Sequence, residues 1–165
     1  FLFCVEVYIM NNSFGTIHLL CGKICAGKST YAKKLHQENN GIILSCDELV
    51  LSIFDEHLGD KHEEIVDRCK EYLYKLSIQM ATSGYNVILD MGFWSKLERD
   101  TIKARFKNLD IPTKLHYIYV DDETQLLHIK ERNSHLSKNC YYVDETILRK
   151  CNNLFEAPSF EELSD

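Results

Sequence analysis

The sequence predicts an α/β fold with a parallel sheet of four strands and helices on both faces. Four short apolar runs, each suited to a buried strand, lie at residues 16–21, 41–46, 86–90 and 114–120. The segments between them carry apolar residues at helical spacing. Because parallel neighbours require a crossover connection, strands that alternate with helices indicate a parallel sheet.

Helix signals accompany each connection. Ser95 followed by Glu98 three residues later is a capping box, and Asp122 is suited to cap the helix after the fourth strand. The third connection has an apolar stripe, which consists of Ile65, Cys69, Tyr72, Leu76 and Met80. The expected helices cover approximately residues 28–37, 61–83, 95–107, 122–132 and 144–152, with a further one beginning at Glu48.

Length and charge are those of a single acidic domain. The chain has 165 residues and a net charge of −6, with the charges scattered, so a nucleic-acid partner is disfavoured. The apolar start contains Glu6 and is about half the length of a membrane span, so no membrane anchor is expected. Met10 precedes a polar run. Residues 1–9 are therefore expected to be an upstream extension and residues 10–165 the domain.

The seven cysteines are odd in number and include no C-x-x-C pair. This pattern favours reduced thiols and a cytoplasmic protein over a disulfide framework or a zinc site. The expected oligomeric state is a monomer or a weak dimer.

One motif carries specific chemistry. Residues 22–30, GKICAGKST, match the phosphate-binding pattern G-x-x-x-x-G-K-[ST] between a strand and a helix. Backbone N–H groups there can surround a β-phosphate, Lys28 can neutralise the β and γ oxygens, and the Ser29 hydroxyl can ligate Mg²⁺. The predicted contacts to Mg-ATP are Gly22, Lys23, Ile24, Cys25, Ala26, Gly27, Lys28, Ser29 and Thr30.

Two aspartates follow predicted strands and should stand at the carboxyl edge of the sheet. Asp47 is expected to be the general base for an acceptor hydroxyl, or alternatively to cap the helix that begins at Glu48. Asp90 ends the run VILD, as in a strand whose carboxylate reaches Mg²⁺ through water. It could instead be a surface residue or hold substrate.

Arg132 ends the helix after the fourth strand and is placed to contact the transferring phosphate, with His128 one turn earlier on the same face. The alternative is a solvated basic helix end. Arg149 is a second, weaker candidate. Cys25 lies inside the loop, where N–H groups and ammonium groups would favour a thiolate, or it turns into the protein and is inert.

The arrangement resembles small P-loop kinases of the adenylate-kinase-like type, especially predicted ATP-binding kinases related to polynucleotide kinase, chloramphenicol phosphotransferase and zeta toxins. The similarity runs from Ile17 to Glu162. It rests on GKICAGKSTYA, S-x-D at 45–47, VILD with MGF after it, R-N at 132–133, V-D-E-x-x-L at 143–148 and F-E-x-P at 155–158. The resemblance implies ATP-dependent phosphoryl transfer, Asp47 as base, a mobile lid at about 128–149 and adenine packing near Phe155.

Three departures from such relatives matter. Val50 stands where an arginine often binds a substrate phosphate or lid partner, which makes a polynucleotide or phosphorylated substrate less expected. His128 replaces the first lid arginine. A final strand is absent, so the P-loop NTPase fold is expected here as four parallel strands ordered 2-3-1-4, the fifth being missing or disordered.

The predicted function is transfer of the γ-phosphate of ATP to a hydroxyl of a small molecule. The acceptor pocket is expected within residues 47–94, and its candidate lining residues, which could equally be core, are Phe54, His57, Tyr72, Phe93 and Trp94. The alternatives are a polynucleotide or nucleoside 5′-hydroxyl kinase, and a nucleotide-dependent switch or weak ATPase without an acceptor.

Overall fold

The computed structural model describes residues 13–54, 58–135 and 140–164. The proposed extension at residues 1–9 and His57 lie outside the described residues. The described chain forms a four-stranded parallel sheet in the order β2-β3-β1-β4, as predicted. Its strands are β1 (Ile17–Cys21), β2 (Ile42–Ser45), β3 (Val87–Gly92) and β4 (Thr113–Tyr117).

Helices connect the strands, and further helices come after the last strand in the sequence. They are α1 (Lys28–Asn39), α2 (Cys46–Ile53), α3 (His62–Thr82), α4 (Lys96–Lys107), α5 (Asp122–Ser134), α6 (Glu145–Leu154) and α7 (Phe160–Ser164). A short 3₁₀ turn at Gly59–Lys61 precedes α3. Among the described residues no strand follows Phe155, in agreement with the sequence pattern; α7 lies there instead.

Two helix caps differ from the sequence expectation. The side chain of Ser45, not that of Asp47, caps α2 by accepting a hydrogen bond from Glu48 N at 3.3 Å. In the same way Asp121, not Asp122, caps α5. In both helices the capping side chain belongs to the last extended residue, because only from there can it reach the N–H three residues on. Asp47 is thereby left without a capping role.

The sheet has a separate apolar layer on each face, because neighbouring strand residues point to opposite sides. Ile17 and Leu19 pack into the cluster that also contains Phe106 of α4. Leu20 points to the opposite face and packs on Ala32 of α1. Helices therefore cover both faces, which confirms the three-layer architecture.

The buried line of α3 runs along different residues from the predicted stripe. Its buried residues are Leu73, Tyr74, Ser77 and Ala81, whereas Tyr72 is 60% exposed. The predicted residues Cys69 and Leu76 pack half-buried beside α2, where the core cluster contains Val50. The helix contacts α2 as well as the sheet, so its inward face is wider than one stripe.

The carboxyl ends of three neighbouring strands meet at one edge of the sheet. Ser45 of β2 lies opposite Asp90 of β3, and Cys21 of β1 lies opposite Gly92. The phosphate-binding pattern begins directly after Cys21, and Asp47 lies two residues after Ser45. Among the described residues, no helix combines the length and apolar character needed to cross a bilayer.

Candidate functional site

The loop between β1 and α1 has the compact backbone expected of a phosphate-binding loop. Cys25 (φ 58°) and Gly27 (φ 94°) both adopt the left-handed region, and the Gly27 backbone begins α1. Space is tight at the start of the loop, because a Cβ on Gly22 would stand 2.5 Å from the carbonyl oxygen of Ile118. Glycine is therefore required at position 22 for the loop to leave β1 in this direction.

Lys28 lies against the inside of the loop. Its ammonium donates to the carbonyl oxygens of Gly22 at 3.0 Å and Lys23 at 2.7 Å. Burial lowers the pKa of Lys28, and the carboxylates of Asp90 and Asp47 act in the opposite direction. The lysine is thus held close to the loop carbonyls, with two acidic groups near enough to act on its charge.

Ser29 and Asp90 form the pair that a magnesium site requires. The Ser29 hydroxyl donates to Asp90 Oδ2 at 2.6 Å, across 61 residues of sequence. A hydroxyl and a carboxylate oxygen are hard ligands of the kind that Mg²⁺ takes alongside waters and phosphate oxygens. The residues present therefore fit a magnesium ion that accompanies a nucleotide.

Asp47 lies in the first turn of α2, facing the same edge. The residue is exposed to solvent, and desolvation followed by the nearby Asp90 raises the pKa of its carboxylate. Arg132, Lys28 and His62 oppose that rise. The electrostatic influence of four groups from separate elements shows that the structure brings the predicted base, lysine, metal ligand and arginine together.

Arg132 is held between the loop and the segment before α6. Its Nη1 lies 3.5 Å from Cys25 Sγ, and its Nη2 donates to the Tyr141 carbonyl at 2.9 Å. Asn133 holds the same segment through two hydrogen bonds with the backbone of Val143. Within the described residues the buried Nε of Arg132 has no hydrogen-bond partner. The guanidinium is therefore held by the loop and by the segment before α6, with its Nε unpaired inside the described part of the protein.

His128 contacts the loop backbone. Its Nδ1 lies 2.9 Å from the carbonyl oxygen of Cys25, one helical turn before Arg132. Arg149, by contrast, is 79% exposed and pairs with Glu145 on its own helix, so the structure gives this weaker candidate no place in the site.

Phe93, a predicted lining residue of the acceptor pocket, lies in the core, which was the stated alternative. Phe93 is fully buried and stacks on Tyr74, because the positive φ of Gly92 and Phe93 turns the ring into the core. Val50 is buried between α2 and α3. Phe155 is half-buried, packs on the core and stacks on Tyr117, and its contact with adenine stays a prediction.

Two important residues were not predicted from the sequence. Gln125 is 1% exposed and donates through Nε2 to the loop carbonyl of Ile24 at 2.8 Å. Arg99 is fully buried and pairs with Glu162 of α7 at 2.8 Å. For Gln125 the sequence contained one signal, its spacing. Gln125 lies one turn before His128, on the helix face that carries Arg132.

Comparison with protein families decides the assignment. Residues 17–158 match the AAA_33 family, described as an AAA domain. The chain belongs to this family. A comparison with curated proteins finds no match.

Solved structures share the fold of this AAA_33 domain at low sequence identity. Chaetomium thermophilum Kti12 in complex with ADP-AlF3 is 18% identical with a TM-score of 0.67, over 87% of this chain and 81% of that one. A putative kinase from Chloroflexus aurantiacus is 13% identical with a TM-score of 0.70, over 88% and 79%. A gluconokinase from Sinorhizobium meliloti 1021 is 14% identical with a TM-score of 0.61, over 89% and 78%. The AAA_33 domain thus has the fold of adenylate-kinase-like P-loop kinases.

A chain of the Pnkp1/Rnl/Hen1 RNA repair complex also matches, at 17% identity and a TM-score of 0.65. The match covers 87% of the AAA_33 domain but 45% of the other chain. At such identities the comparisons establish the P-loop kinase fold and the expectation of nucleotide binding. They do not specify an acceptor.

Proposed function

We propose that this AAA_33 domain transfers the γ-phosphate of Mg-ATP to a hydroxyl group of a small molecule. The observation that carries the proposal is the convergence of Lys28, Asp47 and Asp90, whose charges act on one another, with Arg132 acting on Asp47. A general base for an acceptor hydroxyl requires a carboxylate besides the proposed metal ligand, and Asp47 supplies it.

Each residue has a separate role in the proposed reaction. The Asp47 carboxylate accepts the proton of the acceptor hydroxyl while the oxygen of that hydroxyl forms a bond to the γ-phosphorus. The bond from that phosphorus to the bridging oxygen breaks, and ADP leaves with the electron pair. Lys28 and Arg132 neutralise charge on the phosphate oxygens. Ser29 and Asp90 would hold a magnesium ion, which when bound would supply further neutralisation of the phosphate charge.

The environment of Asp47 suits a general base. A base holds a transferred proton more firmly when its pKa is raised, and desolvation together with Asp90 raises the pKa of Asp47 above its ordinary value. Arg132 and Lys28 act in the opposite direction and limit this rise.

A polar cavity next to the base supports a hydroxylated, unphosphorylated acceptor. It has a volume of about 300 Å³ and is lined by Gly59, Asp60, His62, Glu63 and Lys150. His62 also acts on the charge of Asp47, which supports a position of this cavity near the proposed base. Its two carboxylates would repel a phosphate group, and Val50 offers no arginine to bind one.

An acceptor screen tests the proposal. Purified protein is incubated with Mg-ATP and pools of sugars and polyols, hydroxylated antibiotics, nucleosides, and 5′-hydroxyl oligonucleotides, and ADP release is measured. Stimulation by a small-molecule pool, with a new phosphomonoester signal in ³¹P NMR, is expected. Stimulation by oligonucleotides alone would instead support a 5′-hydroxyl kinase. Unstimulated hydrolysis under every condition would support a nucleotide-dependent switch.

A further inference from the structure

One face of α5 contacts the phosphate-binding loop residue by residue. The residues on this face are spaced three or four apart, so they point in one direction. Its contacts with the loop are Asp122 to Lys23 Nζ at 2.7 Å, Gln125 to Ile24 O at 2.8 Å, His128 to Cys25 O at 2.9 Å and Arg132 to Cys25 Sγ at 3.5 Å. The helix therefore follows the loop from Lys23 to Cys25.

Gln125 is the buried member of this row. Asp122 at the start of the row is 83% exposed, whereas Gln125 is 1% exposed. Its amide is held in a fixed orientation by Asn152 of α6. Gln125 Nε2 lies 3.2 Å from Asn152 Oδ1, and Asn152 Nδ2 donates to Gln125 Oε1 at 3.4 Å. A buried amide with both ends satisfied can present its remaining N–H in one direction alone.

We propose that Gln125 is a positioning residue that sets the orientation of the Ile24–Cys25 peptide for nucleotide binding, with Asn152 fixing the Gln125 amide. In a planar trans peptide, the carbonyl oxygen and the following N–H point in opposite directions. Gln125 holds the Ile24 oxygen on the outer side of the loop. The Cys25 N–H is consequently directed to the inner side, where an anion binds in such loops.

The same amide pair connects α6 to the nucleotide site. Asn152 lies on α6, and the segment that leads into α6 contains Tyr141, whose carbonyl accepts from Arg132. A shift of α6 relative to α5 would therefore disturb the Gln125 amide and the Arg132 contact together. The inference rests on nucleotide binding at this loop but not on phosphate transfer.

Nucleotide affinity of the folded protein is the measurement that tests the proposal. Gln125→Met keeps the length and apolar body of the side chain but removes the N–H that reaches Ile24. We expect the Kd for Mg-ADP, measured by calorimetry well below the melting temperature, to rise about tenfold because a buried carbonyl loses its partner. A residue with a purely structural role would lower the melting temperature and leave this Kd unchanged.

A matched pair on α6 keeps the proposal testable if Gln125→Met does not fold. Asn152→Ala removes the partner of the Gln125 amide, whereas Asn153→Ala removes an exposed amide one position along the same helix. We expect Asn152→Ala to weaken Mg-ADP binding severalfold and Asn153→Ala to leave it unchanged. Equal Kd values for both variants and the wild type would overturn the proposal. Because Mg-ADP binding requires no acceptor, failure of the kinase reaction would not produce that result.

Discussion

At the scale of single residues, the site depends on two carboxylates beside one ammonium group. Asp90 accepts a hydrogen bond from the Ser29 hydroxyl. Desolvation and the charge of Asp90 raise the pKa of Asp47. Without a metal or nucleotide, the charge on Asp47 works against the folded state. A catalytic group of this kind is commonly held at the expense of stability.

This conflict predicts that Asp47→Asn stabilises the nucleotide-free protein. A carboxyl whose pKa is higher in the folded state than in the unfolded state makes its full contribution to stability below the unfolded value, about 3.9, and loses it as the pH rises through the folded value. The variant should therefore melt at a higher temperature than the wild type at pH 7. The difference should shrink toward pH 4. A lower melting temperature at pH 7 would show that the charge on Asp47 is favourable.

Cys25 should be the thiol that reports on the nucleotide site. Its sulfur is half-exposed and accepts from Arg132. Burial raises the pKa of Cys21 to about 11 and that of Cys46 to about 12, so both should react slowly. In iodoacetamide labelling followed by mass spectrometry, Cys25 should label faster than these two, and Mg-ATP should slow its labelling. Cys69, which is also half-exposed, is the reference whose rate should not change. Equal protection of both thiols by Mg-ATP would contradict the prediction.

At the scale of elements, α7 is attached to α4 by a buried ion pair. Arg99 of α4 is fully buried and donates to both carboxylate oxygens of Glu162. It also donates to the carbonyl oxygens of Phe93 and Trp94 at the end of β3, and of Glu156 in the segment after α6. A single side chain therefore joins α4, the end of β3 and the C-terminal segment.

Breaking that pair should destabilise the domain. Glu162→Gln leaves a buried guanidinium without its counter-charge, so the free energy of unfolding should fall by about 3 kcal/mol in urea denaturation. Glu161→Gln, an exposed neighbour on the same short helix, should change it by less than about 0.5 kcal/mol. Equal effects of the two substitutions would mean that α7 is held by something other than this pair.

The elements also show where sequence patterns are informative. The positions of Asp47 and Asp90 at one edge followed from strand ends in a parallel sheet, and the strand order followed from the resemblance to P-loop kinases. The caps of α2 and α5 were misplaced by one or two residues, because each helix start offers two side chains that can cap, Ser45 and Asp47 at α2 and Asp121 and Asp122 at α5. Phe93 could not be placed from the sequence, because its burial depends on the positive φ of two successive residues.

At the scale of the whole molecule, a histidine pair on the face of the sheet that packs on α1 predicts acid sensitivity. His18 Nδ1 lies 2.9 Å from His116 Nε2, and Tyr31 and Asn39 contact the pair from α1. Burial, followed by the charges of His116 and Lys114, lowers the pKa of His18 to about 4. Burial and Lys114 also lower the pKa of His116.

Protonation of this pair should cost stability. Both imidazoles have a lower pKa in the folded state than the unfolded value of about 6.5, so stability present above pH 6.5 is lost as the pH falls, through about 4 for His18. The slope should approach about 1.4 kcal/mol per pH unit for each proton. Urea unfolding at pH 7 and pH 5 should show this loss, and His18→Gln should reduce it. Identical pH dependence in the variant and the wild type would contradict the assignment.

Sequence reasoning reached the fold and the phosphate-binding loop but not the supports of that loop. Loop residues are recognisable because nucleotide binding constrains their spacing. Gln125 and Arg99 are polar residues on helices, and such residues ordinarily face water. Their burial depends on how α5, α6 and α7 pack, which no local pattern records. The proposed acceptor cavity could not be predicted for the same reason, because residues from two helices that are distant in sequence line it.

In the proposed reaction, Asp47 accepts the proton of the acceptor hydroxyl and the phosphate-binding loop binds the nucleotide. The most direct test measures Mg-ATP affinity and ATP consumption with pooled acceptors on the same preparations of wild type, Asp47→Asn and Lys28→Ala. We expect Asp47→Asn to keep its ATP affinity while consumption falls about a hundredfold or more, and Lys28→Ala to lose ATP binding. A loss of affinity in Asp47→Asn equal to its loss of rate would contradict the account, because Asp47 would then serve the metal and not the acceptor.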